Sequence, residues 1–180
     1  MRHASLLLLW SLATQTLLAR PAQIILIRHG DKPAEVTDAH LSPKGRDRAR
    51  AFSSLVTTNR MLLTNGLPVA VFAAKPKEND NGIRASETVE PLAKELKLTI
   101  QTPYRKTEYE ALARSILDNH EYDGKTVVIC WVHTYLPEMA REFGIKPKPA
   151  AWKKSVFDRV WVIKYEGEKA TLALLPLRLP

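Results

Sequence analysis

Short unbroken apolar runs alternate with longer stretches of helical spacing along this chain. Residues 23–27, 69–73 and 126–132 are β-branched and apolar almost throughout, without the two-residue alternation of a half-exposed strand. Such runs predict strands covered on both faces. Residues 98–100 form a third, shorter run between the second and the last of these. The spaces between them read as helices. Ser42 followed by Pro43 is a cap and first-position pair that opens a helix through Gly45 to about Asn65, closed by Gly66. Residues 86–96 are helical, residues 108–119 follow the spacing of Leu112, Ile116 and Leu117, and Pro137 begins a helix running to about Phe143. Residues 160–163 and 170–175 flank the turn Glu166-Gly167-Glu168 as a terminal hairpin. This alternation predicts an α/β fold: a three-layer αβα sandwich whose central sheet is mostly parallel, with helices on both faces and a C-terminal β-hairpin. No internal repeat or linker divides it further.

The first residues break the pattern. Arg2 and His3 precede a mainly apolar stretch from Ala4 to Leu18, and Ala19 is a small residue with Leu17 two positions before it. Residues 1–19 thus have the layout of a secretory signal peptide, leaving 20–180 as the domain. The stretch carries Ser11, Thr14, Gln15 and Thr16 and is short for a membrane span. The expectation is an exported protein, periplasmic or extracellular, with no stable membrane insertion once the leader is removed; without a functional leader it would be cytoplasmic.

Composition narrows the classes. At 180 residues, with 45% hydrophobic and 26% charged residues, the chain suits one folded domain and is not disordered. Its net charge of +8 is scattered, and its few aromatics do not interleave with a basic stripe, so nucleic acid is not an expected partner. A basic field does favour an anionic substrate. Cys130 is the single cysteine. This excludes an intrachain disulfide and a Cys-rich zinc site, and its apolar neighbours make it a core thiol.

Ligands of open α/β sheets bind at the carboxyl ends of the strands. The first strand delivers Arg28-His29-Gly30, the fourth delivers His133, and the loop after the second leads to Arg84 at a helix start. Two histidines and two arginines at one edge suit phosphoryl transfer without a metal. A neutral imidazole can attack phosphorus, while guanidinium forks and a second imidazolium stabilise the oxygens. Gly30 would let the backbone approach the phosphate and donate its N–H.

The run Leu26-Ile27-Arg28-His29-Gly30, the later Leu41-Ser42-Pro43-Lys44-Gly45, the segment Arg84-Ala85-Ser86-Glu87-Thr88 and the isolated His133 together resemble the histidine phosphatase, or phosphoglycerate-mutase-like, superfamily. In size the chain is similar to its small exported or SixA-like members. The resemblance implies His29 as the phosphorylated nucleophile, with Arg28, Arg84 and His133 as the phosphate pocket, no cofactor and no metal. Gly30, Asp31 and Thr134 are further candidate substrate contacts. The implied activity is a phosphohydrolase acting on a phosphomonoester or phosphoramidate of a small molecule or phosphoprotein. The alternatives are a non-catalytic phosphate-binding module and a phosphomutase, though the short chain leaves little room to hold a bisphosphate. Thr134 stands where the family often has Gly or Asp, and Ala74 where Ser is common, which leaves the substrate class open.

Protonating a leaving oxygen requires a carboxyl near the phosphate. Glu108, after the third strand, is the first candidate; Asp31 and Asp158 follow. Glu108 could equally be a first-turn carboxylate favoured by the helix dipole. His40 and His120 read as solvated; Trp131, Trp152 and Trp161 read as core or loop packing, although Trp152, in the Pro-rich segment, could flank the pocket.

Overall fold

The computed structural model describes residues 20–35, 38–76 and 83–179. The leader, with its expected cleavage site, lies outside the described residues. The described residues form one six-stranded sheet in the order β3-β2-β4-β1-β5-β6. Here β1 is Gln23–Arg28, β2 Pro68–Ala73, β3 Ile100–Gln101, β4 Thr126–Trp131, β5 Arg159–Glu166 and β6 Lys169–Pro176. Strands β1 to β4 run parallel, and β5 and β6 form the antiparallel hairpin beside β1. The sheet is mostly parallel, as the runs predict.

Among the described residues four helices cover it: α1 (Pro43–Thr58), α2 (Ile83–Leu96), α3 (Tyr109–Leu117) and α4 (Leu136–Glu142). α1 packs on α2 and α3 on α4. Every residue of β1 and β4 is buried, the signature of strands with both faces covered. Phe52 and Val56 of α1, Val89 and Leu92 of α2, Leu112 and Ile116 of α3 and Met139 of α4 join these strands in one core.

Two helix boundaries depart from the spacing. α1 stops at Thr58 instead of continuing to Asn65, and Gly66, at φ 78°, closes only a short 3₁₀ turn, Leu63–Asn65. Side chains there compete for the backbone. Thr57 and Thr58 donate back to the Ser53 and Ser54 carbonyls, and Asn59 Oδ1 accepts from the Met61 N–H at 2.9 Å. The break lets Leu62 turn into the core. α2 begins at Ile83, three residues before the expected start, so Arg84 sits inside its first turn.

Candidate active site

The parallel register brings the ends of β1 and β4 together. Arg28 pairs with Trp131, and the His29 N–H donates to the Trp131 carbonyl at 3.3 Å. His29 and His133 therefore leave the sheet from adjacent strands, with Arg84 entering from α2.

His29 is 7% exposed, and its Nδ1 lies 2.8 Å from the Gly30 carbonyl oxygen. An acceptor there requires Nδ1 to carry the proton, which leaves Nε2 as the basic nitrogen. Burial pushes the ring's pKa down to about 4; the Gly30 hydrogen bond opposes this, and the cations Arg28, Arg84 and Lys32 reinforce it. The imidazole is thus a neutral base at pH 7. His133 is half-buried, and its pKa is lowered by burial, then by Arg28, Lys32 and Lys154. Its Nδ1 is buried with no partner among the described residues. The second imidazolium expected at this edge is accordingly disfavoured until an anion offsets the surrounding cations.

Arg28 is the most constrained cation. Its Nη1 donates to the carbonyls of Lys154 at 2.6 Å and Val156 at 3.0 Å, with Lys153 at 3.4 Å, and its guanidinium lies 3.7 Å over the Phe157 ring. Burial draws its pKa down to about 10, partly offset by Asp31. Phe157 also meets the His29 ring edge-on, at 6.2 Å between centroids. The loop before β5 thus closes over both residues. Trp152 is buried in the core, as the packing reading expects, and its indole donates to the Val156 carbonyl at 2.9 Å, the acceptor Arg28 also uses. Arg84 donates through Nη1 to the Asp38 carbonyl at 2.9 Å.

Gly30 does something other than expected. Its N–H donates to Thr88 Oγ1 at 2.8 Å, and the Thr88 hydroxyl donates to the Arg84 carbonyl at 2.6 Å. That N–H is therefore occupied by α2 and does not face a phosphate. The lack of a side chain at Gly30 serves α1 instead, because a Cβ there would lie 2.9 Å from the Gly45 carbonyl oxygen. Gly45 is the matching half: a Cβ on it would overlap the Asp31 carbonyl oxygen. The Leu-Ser-Pro-Lys-Gly segment is thus the abutment of α1 against the His29 loop. Ser42 caps α1 by accepting from the Gly45 N–H at 3.0 Å, and its own N–H donates to the Asp31 carbonyl.

The candidate acids are committed to other partners. Asp31 pairs with Arg48, Oδ2 to Nε at 2.6 Å. Glu108 caps its own turn, Oε2 accepting from the Arg105 N–H at 2.7 Å, while its N–H donates to the Arg105 carbonyl at 2.8 Å. That turn does reach the right edge, because the Trp131 indole donates to the Lys106 carbonyl at 3.0 Å. Asp158 is exposed and pairs with Arg159. The charges acting most on the two imidazoles are all cations. Thr134 is exposed in the turn before α4. His40 is not simply solvated: its ring pairs with Glu87, which raises its pKa, and Glu87 also accepts from the Leu41 N–H at 2.7 Å. Among the described residues no three His, Cys, Asp or Glu side chains form a metal-ligand cluster.

Sequence reading missed Thr88, Lys32, Lys154 and Phe157. Thr88 had a signal, a polar residue four positions after Arg84 on the buried stripe of α2. Phe157 had none, since nothing local tells a loop aromatic which cation it will cover.

The fold is shared with solved structures of several phosphatases. The alpha-ribazole phosphatase of Shigella flexneri superposes with a TM-score of 0.56 at 17% identity, over 86% of this chain and 96% of that one. A mycobacterial glucosyl-3-phosphoglycerate phosphatase, solved with VO3, gives 0.57 at 12% identity, over 87% and 100%. The protein histidine phosphatase SixA, solved with tungstate, gives 0.52 at 13%, over 86% and 96%. No protein-family model matches the sequence, and no curated protein matches it.

Proposed function

We propose that this protein is a phosphohydrolase that passes a phosphoryl group through His29 to water, using neither a metal nor a cofactor. One observation carries the reading: the hydrogen bond from Nδ1 to the Gly30 carbonyl leaves Nε2 of a buried, neutral imidazole as the nucleophile among Arg28, Arg84 and Lys32. Nε2 attacks phosphorus as the bond to the leaving atom breaks, and the leaving group departs with the electron pair. Water then attacks the phosphohistidine, the P–N bond breaks, and Nε2 regains its lone pair as inorganic phosphate forms. Arg28 and Arg84 exchange their carbonyl partners for phosphate oxygens. The phosphate's negative charge raises the pKa of His133, which then donates to an oxygen as an imidazolium.

With Asp31, Glu108 and Asp158 engaged elsewhere, substrates whose leaving groups need no proton from a protein carboxyl, because solvent protonates them beforehand or because they are stable anions, fit best. These are phosphoramidates such as phosphohistidine, on a protein or a small molecule, and activated phosphomonoesters. The leader argues for export, which cell fractionation of the full-length protein would test by finding a shortened chain outside the cytoplasm.

The same engaged carboxyls favour a second reading, a phosphate-binding module without turnover. Quenching in alkaline denaturant after mixing with a labelled phosphoramidate separates the two. The phosphohydrolase yields an acid-labile, base-stable phosphoprotein that His29→Ala lacks. Phosphate binding with no phosphoprotein and no release of phosphate supports the module.

A further inference from the structure

Glu87 follows Arg84 by three residues on α2, so the two side chains leave neighbouring turns on one side of the helix. Both reach the same stretch of chain. Arg84 Nη1 donates to the Asp38 carbonyl at 2.9 Å. The Glu87 carboxylate divides its oxygens, Oε2 accepting from the Leu41 N–H at 2.7 Å and Oε1 pairing with His40 Nδ1. Residues 38–41 thus lie against α2 with an arginine at one end and a carboxylate at the other. The chemistry proposed above uses the arginine and gives the carboxylate no task.

A carboxylate one turn from Arg84 opposes that arginine's role, because it attracts the guanidinium and repels phosphoryl oxygens. His40 supplies the compensating charge. The ring's pKa lies above the ordinary histidine value, raised by the Glu87 hydrogen bond and charge and further by Asp38, while desolvation and Arg46 oppose the rise. These charged groups face the ring from every side that packs on it. Glu87 comes from α2; Asp38, in the same segment, accepts the His40 N–H at 2.8 Å; and Arg46 of α1 donates to the Leu41 carbonyl at 2.6 Å.

We infer that His40 is a positioning residue for anion binding: when protonated it holds and neutralises Glu87, leaving Arg84 to the phosphoryl group, and anion affinity falls as the ring loses its proton. Neutral His40 leaves the Glu87 charge uncompensated beside Arg84. Because Glu87 raises the pKa, the protonated form persists above the range of an ordinary histidine, and affinity declines on the alkaline side of it. The inference rests on the phosphate pocket of the proposed phosphohydrolase and is read by binding, without turnover.

The test is calorimetric titration of the purified full-length protein with sulfate at pH 6 and pH 9, between which this dianion does not titrate. The His40 side chain is 60% exposed, so its replacement leaves the core intact. At pH 6 His40→Gln should bind sulfate ~3-fold more weakly than the parent, the scale of an exposed ion pair. At pH 9, where the parent's ring is neutral, the two should bind alike. Glu87→Gln retains an amide oxygen for the Leu41 N–H and should bind ~3-fold more tightly than the parent at pH 9. In the Glu87→Gln background, adding His40→Gln at pH 6 should lose most of its effect, since no carboxylate is left to neutralise.

The inference alone is overturned if sulfate binding requires Arg84 but His40→Gln matches the parent at pH 6, keeps its deficit at pH 9, or costs as much with Glu87→Gln as without it. Sulfate that does not bind, or that binds Arg84→Gln as tightly as the parent, overturns the phosphate pocket and the inference together.

Discussion

Thr88 Oγ1 accepts the Gly30 N–H at 2.8 Å while its hydroxyl donates to the Arg84 carbonyl at 2.6 Å. One buried side chain thereby joins the loop of His29 to the helix that carries Arg84. Replacing it with Val keeps the shape and leaves the Gly30 N–H buried without a partner. Thr88→Val should lose about 1–3 kcal/mol in urea unfolding, whereas Thr88→Ser should retain most of the stability. Aryl phosphate turnover should fall in the Val variant and recover in the Ser variant.

The close approach of Gly30 and Gly45 makes a second prediction. Ala at position 45 would gain about 1 kcal/mol of helix propensity on general grounds. Here its Cβ meets the Asp31 backbone, which cannot swing aside as a side chain would. Overpacking of this kind costs about 1–3 kcal/mol. Gly45→Ala should therefore be net destabilised in urea and should weaken phosphate binding, because the His29 loop must shift.

The depressed pKa of His29 has a definite sign. In the unfolded chain the ring takes its proton near 6.5; in the folded protein it does so at about 4. Stability from this residue is fully present above pH 6.5 and is lost as pH falls through 4, a loss of roughly 3 kcal/mol. His29→Gln should lack that part of the acid destabilisation when urea unfolding is compared at pH 7 and pH 4.5. For the native protein and the hydrolysis proposed above, kcat/KM corrected for substrate ionisation should hold level down to about pH 5 and fall toward pH 4. An acid limb centred on 6.5 would contradict the burial argument.

Phe157 helps produce that depression by covering the ring edge and the Arg28 guanidinium. Phe157→Ala admits water to both. The acid limb of kcat/KM should move upward from pH 4, and loss of the cation–π contact, worth about 0.5–2 kcal/mol, should raise KM.

Glu108→Gln tests the acid directly. Its carboxylate accepts the Arg105 N–H within its own turn, a bond that the Gln amide oxygen can also accept. Turnover of phosphoramidates and of aryl phosphates with good leaving groups should stay unchanged. A selective slowing with poor leaving groups would instead assign Glu108 the acid's role.

Much of the site was legible before the fold. Arg28, His29, Arg84 and His133 could be assigned to one edge because a continuous apolar run predicts a parallel strand, and parallel strands end on the same side. The short-range competition that stops α1 at Thr58 was harder to read, because it depends on which carbonyls Thr57 and Thr58 choose. Gly30 illustrates a deeper limit. Its lack of a side chain suggested close approach, but the neighbour that approaches is the start of α1 and its N–H belongs to Thr88.

The sequence by itself determined the alternation of elements, the burial of β1 and β4 and the reactive residue types at their ends. Hydrophobic periodicity and chain direction are local properties, and they suffice for this. Only the tertiary structure decided which ring nitrogen of His29 stays basic, that Arg28 is held by the carbonyls before β5, and that all three candidate carboxyls are engaged away from the imidazoles. Those outcomes are set by partners between one and 126 residues away along the chain. Hydrogen bonds and charges act over a few ångströms in space, and no pattern along the sequence encodes which distant groups will come within that range.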